Sequence, residues 1–275
     1  MAGAPRADDP VLAADLARAV ARDELFLVYQ PKLDCRTGRI NSAEGLLRWQ
    51  HPVRGSISPA DFIPVAERTG SIRALTCWVI ERAIADQATL AAAGHVLTLN
   101  VNLSARLAGD AAFTRWALAA VARAVGTIGL ELTETAAIDD PEAALANMHA
   151  FADAGVHIAI DDYGAGLSSL AYLKQLPASE LKIDRMFISG LADSHRDPLL
   201  VRSTIDLAHA LGMEVTAEGV ETPVTLALLR VMGCDQVQGW AIARPMALEA
   251  LRVFLSSAGP FAEPGRPKPE LIGRP

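Results

Sequence analysis

Apolar residues recur along this chain at two spacings, and the switches between them outline its elements. Leu12, Leu16 and Val20 repeat at helical intervals and predict a helix from Pro10 to about Ala21. Phe26 to Lys32 alternates like a strand, Thr37-Gly38 supplies a turn, and Ile40 to Trp49 runs as a second strand. His51-Pro52 through Pro59 reads as a loop, after which Ile72, Leu75, Val79 and Ala83 form a helical stripe closed by Gly94. Val96 to Ser104 alternates again, Phe113 to Val125 is helical, and Ile128 to Glu134 is a strand with carboxylates at its end.

From there one grammar repeats. Asp140-Pro141, Asp197-Pro198 and Thr222-Pro223 open helices, and Gly155, Gly212 and Gly233 close them. A capping side chain with Pro at the first helical position and Gly just past the end is the expected asymmetry of helix termini. Short strands follow each closure: Val156 to Asp161, Met213 to Glu218, and Cys234 to Gln238, with Glu180 to Asp184 between them. Alternating strands and helices joined by a few residues predict a parallel sheet covered by helices. The number of units favours a closed (β/α)8 TIM-like barrel over an open doubly wound sheet. Neither GxGxxG after a first strand nor GxxxxGK[ST] occurs, which weakens a nucleotide-cofactor reading.

Composition narrows the class. With 275 residues, 51% of them hydrophobic, the chain has ample core for one large domain, placed at residues 10–256. Residues 1–9 read as a disordered N-terminus too short for a sensor or cyclase segment, and 257–275, rich in Pro and Gly, as a flexible tail. A net charge of −7 argues against long nucleic acid as a partner but leaves room for a small phosphorylated ligand. Neither a signal-peptide run nor a membrane-span length of apolar residues occurs, and a cytoplasmic location is expected. Cys35, Cys77 and Cys234 lie far apart without CxxC spacing and read as free thiols, Cys234 as a small core residue.

Chemistry enters at the strand ends. In a barrel of this type these open on one face, which here would carry Glu44, Asn102, Glu131, Asp161, Asp162, Lys182, Glu218 and Gln238. Asp161 and Asp162 are adjacent, at the end of an Ile- and Val-rich run and before the glycine-rich Gly164-Ala165-Gly166. So many acids at one mouth repel one another severely without cations. Their ligand atoms are hard oxygens, and the scattered histidines offer no HxH or HExxH pair, so Mg2+ or Mn2+ is expected rather than Zn2+. A multi-acid site with a lysine suits two metals about 3.5–4 Å apart on a phosphoryl group. Residue reading alone reaches metal-assisted phosphate-ester chemistry.

Tyr29-Gln30-Pro31, Glu44-Gly45-Leu46-Leu47-Arg48-Trp49, Asn102-Leu103-Ser104 and Glu131-Leu132-Thr133-Glu134 occur in that order. Asp161-Asp162-Tyr163-Gly164-Ala165-Gly166, Lys182-Ile183-Asp184-Arg185, Ala217-Glu218-Gly219-Val220-Glu221 and Gln238-Gly239-Trp240 follow. Together they resemble the EAL-domain family of bacterial cyclic-di-GMP phosphodiesterases, over about residues 10–255. The resemblance implies a barrel with an antiparallel first strand, a homodimer, and hydrolysis of cyclic di-GMP to linear pGpG, with a separate regulatory partner protein as a further possibility. It implies one metal on Glu44, Asn102, Glu131 and Asp161, and a second on Asp161, Asp162 and Glu218. Lys182 would act on the attacking hydroxide or the phosphate, Gln238 would position water, and Gln30 and Arg48 would contact the dinucleotide. Either Glu218 or Lys182 could assist as a base. Glu134 and the loop with Tyr163, Gly164, Ala165 and Gly166 would couple a dimer interface to the metals.

Two departures stand out. Gly45 replaces the alanine of the family's namesake motif, and Tyr163, Ala165 and Leu167 stand where Phe, Thr and Tyr are frequent, which bears on loop coupling. Two rivals to the enzyme remain: a cyclic-di-GMP receptor or protein-interaction module on the same fold, and a barrel metalloenzyme forming an enediolate with Lys182 as base.

Overall fold

The computed structural model describes residues 10–133, 141–164 and 170–257. Expectations for residues 1–9, for Glu134, for the cap Asp140, for Ala165, Gly166 and Leu167, and for the tail beyond Ser257 lie outside the described residues.

The elements run α1 (Pro10–Ala19), β1 (Leu25–Asp34), β2 (Ile40–His51), β3 (Gly55–Ile57), α2 (Pro59–Thr69), α3 (Ile72–Ala92) and β4 (Thr98–Asn102). Then follow α4 (Ala105–Ala108), α5 (Ala111–Val121), β5 (Ile128–Thr133), α6 (Pro141–Asp153), β6 (His157–Tyr163), α7 (Leu170–Leu173) and β7 (Glu180–Ile183). The chain continues through α8 (Arg185–Ile188), α9 (Asp197–Ala210), β8 (Glu214–Ala217), α10 (Pro223–Val231), β9 (Gln236–Gln238) and α11 (Leu248–Ser257).

Strand order is β1-β9-β8-β7-β6-β5-β4-β2-β3, and β1 also pairs with β2. That last pairing closes eight strands into a barrel and leaves β3 as a short hairpin extension of β2. From β2 through β4 to β9 every neighbour is parallel, whereas β1 runs antiparallel to both β2 and β9. The expected TIM-like barrel with a reversed first strand is therefore what forms.

Local chemistry explains the boundaries. Asp110 caps α5 by accepting from the amides of Ala112 and Phe113, and Thr222 caps α10 by accepting from Thr225. Gly155 and Gly212, past the ends of α6 and α9, have φ of 76° and 78°, which a side chain would resist. Asp197 departs from its expected role: it is the first helical residue of α9, and the cap position falls to Arg196 with no side-chain bond. The stretch expected as a loop also holds structure, since β3 forms within it and α2 begins at its last residue. Ser58 caps that helix through the amide of Ala60, and Phe62, Val65 and Ala66 bury one face of it.

Candidate functional site

Period-two alternation decides which side chains enter the barrel. On β1, Tyr29 faces outward and is fully buried, its hydroxyl donating to Asp86 of α3 at 2.6 Å. Gln30 therefore faces inward, donating to Ala243 O at 3.1 Å and accepting from Gln238 Nε2 at 3.2 Å. Gln238 Nε2 also donates to Glu44 Oε2 at 2.7 Å, and Asn102 Nδ2 donates to Glu44 Oε1 at 2.9 Å. Two amides, from β9 and β4, thus fix both oxygens of the Glu44 carboxylate on β2.

In a regular strand Asp161 and Asp162 would point to opposite faces. The β6–β7 register shifts between Ile160 and Tyr163, and Asp162 adopts φ 55°, a left-handed conformation that Asp tolerates better than most residues. One oxygen from each of Asp161, Asp162 and Glu218 lies within 4.8 Å of the others, a grouping suited to a metal ion. The irregularity turns two neighbours in sequence into two neighbours in space.

Lys182 of β7 lies at the centre, its side chain 1% exposed. Its Nζ is 2.5 Å from Glu131 Oε2, 2.7 Å from Glu218 Oε1, 2.9 Å from Asp161 Oδ1 and 3.9 Å from Glu44 Oε2. Lys32 lies in contact with Glu131 from β1, wholly buried, with Nζ 2.9 Å from Glu131 Oε1 and 2.8 Å from Glu180 Oε1. Glu131 is thereby clamped between two ammonium groups. Sequence reading missed Lys32 and Glu180. A signal existed in strand parity: Lys32 shares a face with Gln30, and Glu180 shares one with Lys182.

Five carboxyls (Glu44, Glu131, Asp161, Glu180 and Glu218) face two ammoniums, and the imbalance appears in the proton affinities of Glu44, Glu131 and Glu218. Burial pushes Glu218 up to about 8, with Asp161 and Glu44 adding to the rise against the attraction of Lys182. Burial, Asp161 and Asp184 push Asp162 up to about 6. Burial also raises Glu44, offset in part by Lys182. Burial works the same way on Glu131, but Lys182 and Lys32 together outweigh it and hold the group at about 2. For Lys182 burial favours the neutral amine, yet Glu131, Glu44, Glu218 and Asp161 overcome it and push the group well above its ordinary value. A lysine so held is protonated at neutral pH in the metal-free site, which weighs against the enediolate alternative.

Beside this knot opens a cavity of about 440 Å³. Glu44, Asn102 and Arg48 give it a polar edge, and Ile63, Leu75 and Val79 an apolar wall. Arg48 stands apart from the carboxylates and is half-buried, its Nη1 donating to Leu47 O at 2.8 Å. Of the expected site residues, Glu44, Asn102, Glu131, Asp161, Asp162, Lys182, Glu218, Gln238 and Gln30 come together in one connected cluster, while Arg48 lines its approach. Tyr163 ends β6, and Gly164 follows with φ 98°, where a Cβ would lie 2.7 Å from the Phe187 ring.

Comparison with known proteins agrees with this arrangement. The model of the family described as "EAL domain" matches residues 13–245. A cyclic di-GMP phosphodiesterase of Pseudomonas aeruginosa, PA2567, is 39% identical over 248 residues, 89% of this chain and 42% of that protein. Another from the same organism, NbdA, is 40% identical over 245 residues, 88% of this chain and 31% of its own length. The chain thus spans less than half of these relatives. A solved phosphodiesterase domain of MucR in complex with c-di-GMP superposes with a TM-score of 0.82 at 40% identity, covering 88% of this chain and 99% of that one. A reversed first strand, carboxylates gathered at the strand ends and a match along nearly the whole barrel lead to one conclusion: this chain belongs to the EAL domain family.

Proposed function

We propose that this domain hydrolyses cyclic di-GMP to linear pGpG with the aid of Mg2+ or Mn2+, lowering the level of that messenger. The observation that carries the reading is the convergence of Glu44, Glu131, Asp161 and Glu218 on one buried ammonium, with Asp162 alongside, at the edge of a cavity with an apolar wall. Cyclic di-GMP has matching chemistry: charged phosphodiesters for the polar edge and flat bases for the apolar wall.

The donors fit hard divalent ions. They are oxygens throughout, and Asp161, Asp162 and Glu218 are drawn together although burial, with Asp161 nearby, raises the proton affinities of Asp162 and Glu218. Glu44, Asn102, Glu131 and Asp161 would hold one ion, and Asp161, Asp162 and Glu218 the second. Bound there, the ions would supply Lewis acidity and lower the pKa of water. The chain's own groups do the rest. Lys182, kept protonated, offers fixed positive charge where negative charge develops on the phosphoryl group. Glu218, raised to about 8 in the metal-free protein, would give up its proton on taking up the second ion. Gln238 and Asn102 hold Glu44, Gln30 holds Gln238, and Arg48 receives a phosphate on the cavity side. The domain would act as a homodimer, and the exposed Leu199 and Leu200 of α9 and Met186 of α8 are apolar surface a second copy would cover.

The decisive assay incubates the purified chain with cyclic di-GMP and Mg2+ or Mn2+ and separates products by chromatography. Linear pGpG is expected, suppressed by chelation or Ca2+ and abolished in Glu44→Gln with circular dichroism unchanged. Binding of cyclic di-GMP without turnover in any metal would replace the enzyme with a receptor. Lys182→Ala should lower kcat by about 10²–10³ with a modest change in binding measured calorimetrically in Ca2+. Arg48→Ala should chiefly raise KM. Equal loss of binding in both variants would remove the division of roles.

A further inference from the structure

Outside the site, two cysteines that are 199 positions apart in sequence meet where β1 ends and β9 begins. The β1–β9 ladder pairs Asp34 with Gln236, and the Cys35 amide extends it by donating to Asp235 O at 2.8 Å. Cys234 lies one residue past that opposed position. Such an offset separates α-carbons by about 6 Å, inside the roughly 4.4–6.8 Å range that a disulfide spans. The proton affinities of the two thiols are linked, each shifting the other's. Both line a cavity of about 430 Å³ together with Arg230, Asp34 and Gln236. Cys35 is half-exposed there, while Cys234 is buried with Sγ 3.1 Å from Gln236 O and 3.4 Å from Val215 O. The guanidinium of Arg230 reaches Cys35, and its buried Nε has no partner.

We propose that Cys35 and Cys234 form a hydroperoxide-reactive dithiol site, in which Cys35 is oxidised first and Cys234 then closes a disulfide. The two sulfurs are electronically unequal in the required sense. The neighbouring Cys234 thiol draws Cys35 below the ordinary thiol range, and Arg230 adds to this against the effect of burial. The neighbouring Cys35 and burial push Cys234 well above the ordinary range. Cys35 is thus the nucleophile and Cys234 the proton-carrying resolving group.

The chemistry balances. The Cys35 thiolate attacks one peroxide oxygen, an S–O bond forms as the O–O bond breaks, and the departing oxygen takes a proton to leave as alcohol or water. The sulfur of Cys234 then attacks the Cys35 sulfenic acid. An S–S bond forms, the S–O bond breaks, and hydroxide leaves with the Cys234 proton as water. Two thiols are oxidised and one peroxide is reduced. A metal site is the weaker reading, because among the described residues no third His, Cys, Asp or Glu converges on these thiols.

Cys77 supplies an internal control: a half-buried thiol on α3 whose pKa is raised by burial. The full-length reduced chain should be treated with hydrogen peroxide, alkylated and mapped by mass spectrometry. The expected product has lost two hydrogens, joins the peptides of Cys35 and Cys234, and leaves Cys77 alkylatable. Cys35 should react at least about tenfold faster than Cys77. In Cys234→Ser, a Cys35 sulfenic acid should be trapped by dimedone, and Arg230→Met should slow oxidation with circular dichroism unchanged. Equal reactivity of Cys35 and Cys77 would overturn the proposal. So would accumulation of Cys35 sulfinic acid with Cys234 in place, or both thiols remaining alkylatable in excess peroxide.

Discussion

A Cβ added at Gly45 would lie 3.4 Å from Asn100 O and from Tyr29 Cε1, and 3.5 Å from Val101 Cγ1. Those are ordinary van der Waals distances, and Gly45 sits mid-strand, paired with Tyr29. Replacing a glycine whose backbone suits any residue removes freedom from the unfolded chain and stabilises by about 0.4–1 kcal/mol. Gly45→Ala should therefore raise the urea midpoint without changing the slope, and leave turnover as it was. Gly129 offers the contrast, since a Cβ there would lie only 1.9 Å from Asn100 Oδ1. Gly129→Ala should lower the midpoint in the same experiment. If Gly45→Ala is the destabilising change, the methyl is not accommodated between the Tyr29 ring and Asn100 O, and the departure from alanine is a packing adaptation.

Among elements, the contact that most distinguishes this barrel from a purely apolar one is Lys32, which ties β1 to β5 through Glu131 and to β7 through Glu180. Removing one partner of a buried ion pair costs about 3–5 kcal/mol, whereas replacing the pair by apolar groups is often near neutral. Lys32→Met should therefore destabilise strongly in denaturant titration, and adding Glu180→Leu should recover much of the loss, because Glu131 retains Lys182. A double variant no more stable than the single one would mean that Lys32 acts through Glu131 alone. Lys32 was hard to see in the sequence because periodicity reports which face a residue occupies, and a charged side chain on an inward face reads as an exception until its partner is known. The strands and most helices were legible, since Val, Ile and Leu alternate on one set and Pro and Gly bracket the other. Helix α2 was hidden by Pro59 and Pro64. Pro59 falls at the first helical position, where no amide bond is lost, and the stripe Phe62, Val65 and Ala66 was the signal to weigh against it. The site acids were readable from strand ends. Their electrostatic inequality was not, because it depends on which carboxyls the bulge at Asp161-Asp162 brings beside Lys182.

For the whole molecule, that inequality links protons, metal and stability. In the metal-free protein Glu218 and Asp162 are pushed up from 4.5 to about 8 and from 3.8 to about 6. They bind protons that the unfolded chain has already released. Stability linked to them is present below their unfolded values and is lost as pH rises through about 6 and then about 8. Glu131 has the opposite sign: lowered to about 2, its contribution is present above 4.5 and lost as pH falls through that lower value. A divalent ion needs the deprotonated carboxylates, so its binding competes with the protons on Glu218 and Asp162. Addition of Mn2+ should therefore raise Tm, and the rise should grow between about pH 6 and about pH 8 as metal-free stability falls. At a hundredfold excess over Kd the stabilisation is about 2.7 kcal/mol, equivalent to several degrees in a chain of this length. Calorimetric titrations in two buffers of different ionisation enthalpy should register proton release near pH 7, diminished in Glu218→Gln. A Tm increment independent of pH, with no proton release, would mean that the metal engages neither Glu218 nor Asp162. The carboxylates drawn together at the β6 bulge would then need another explanation for their cost.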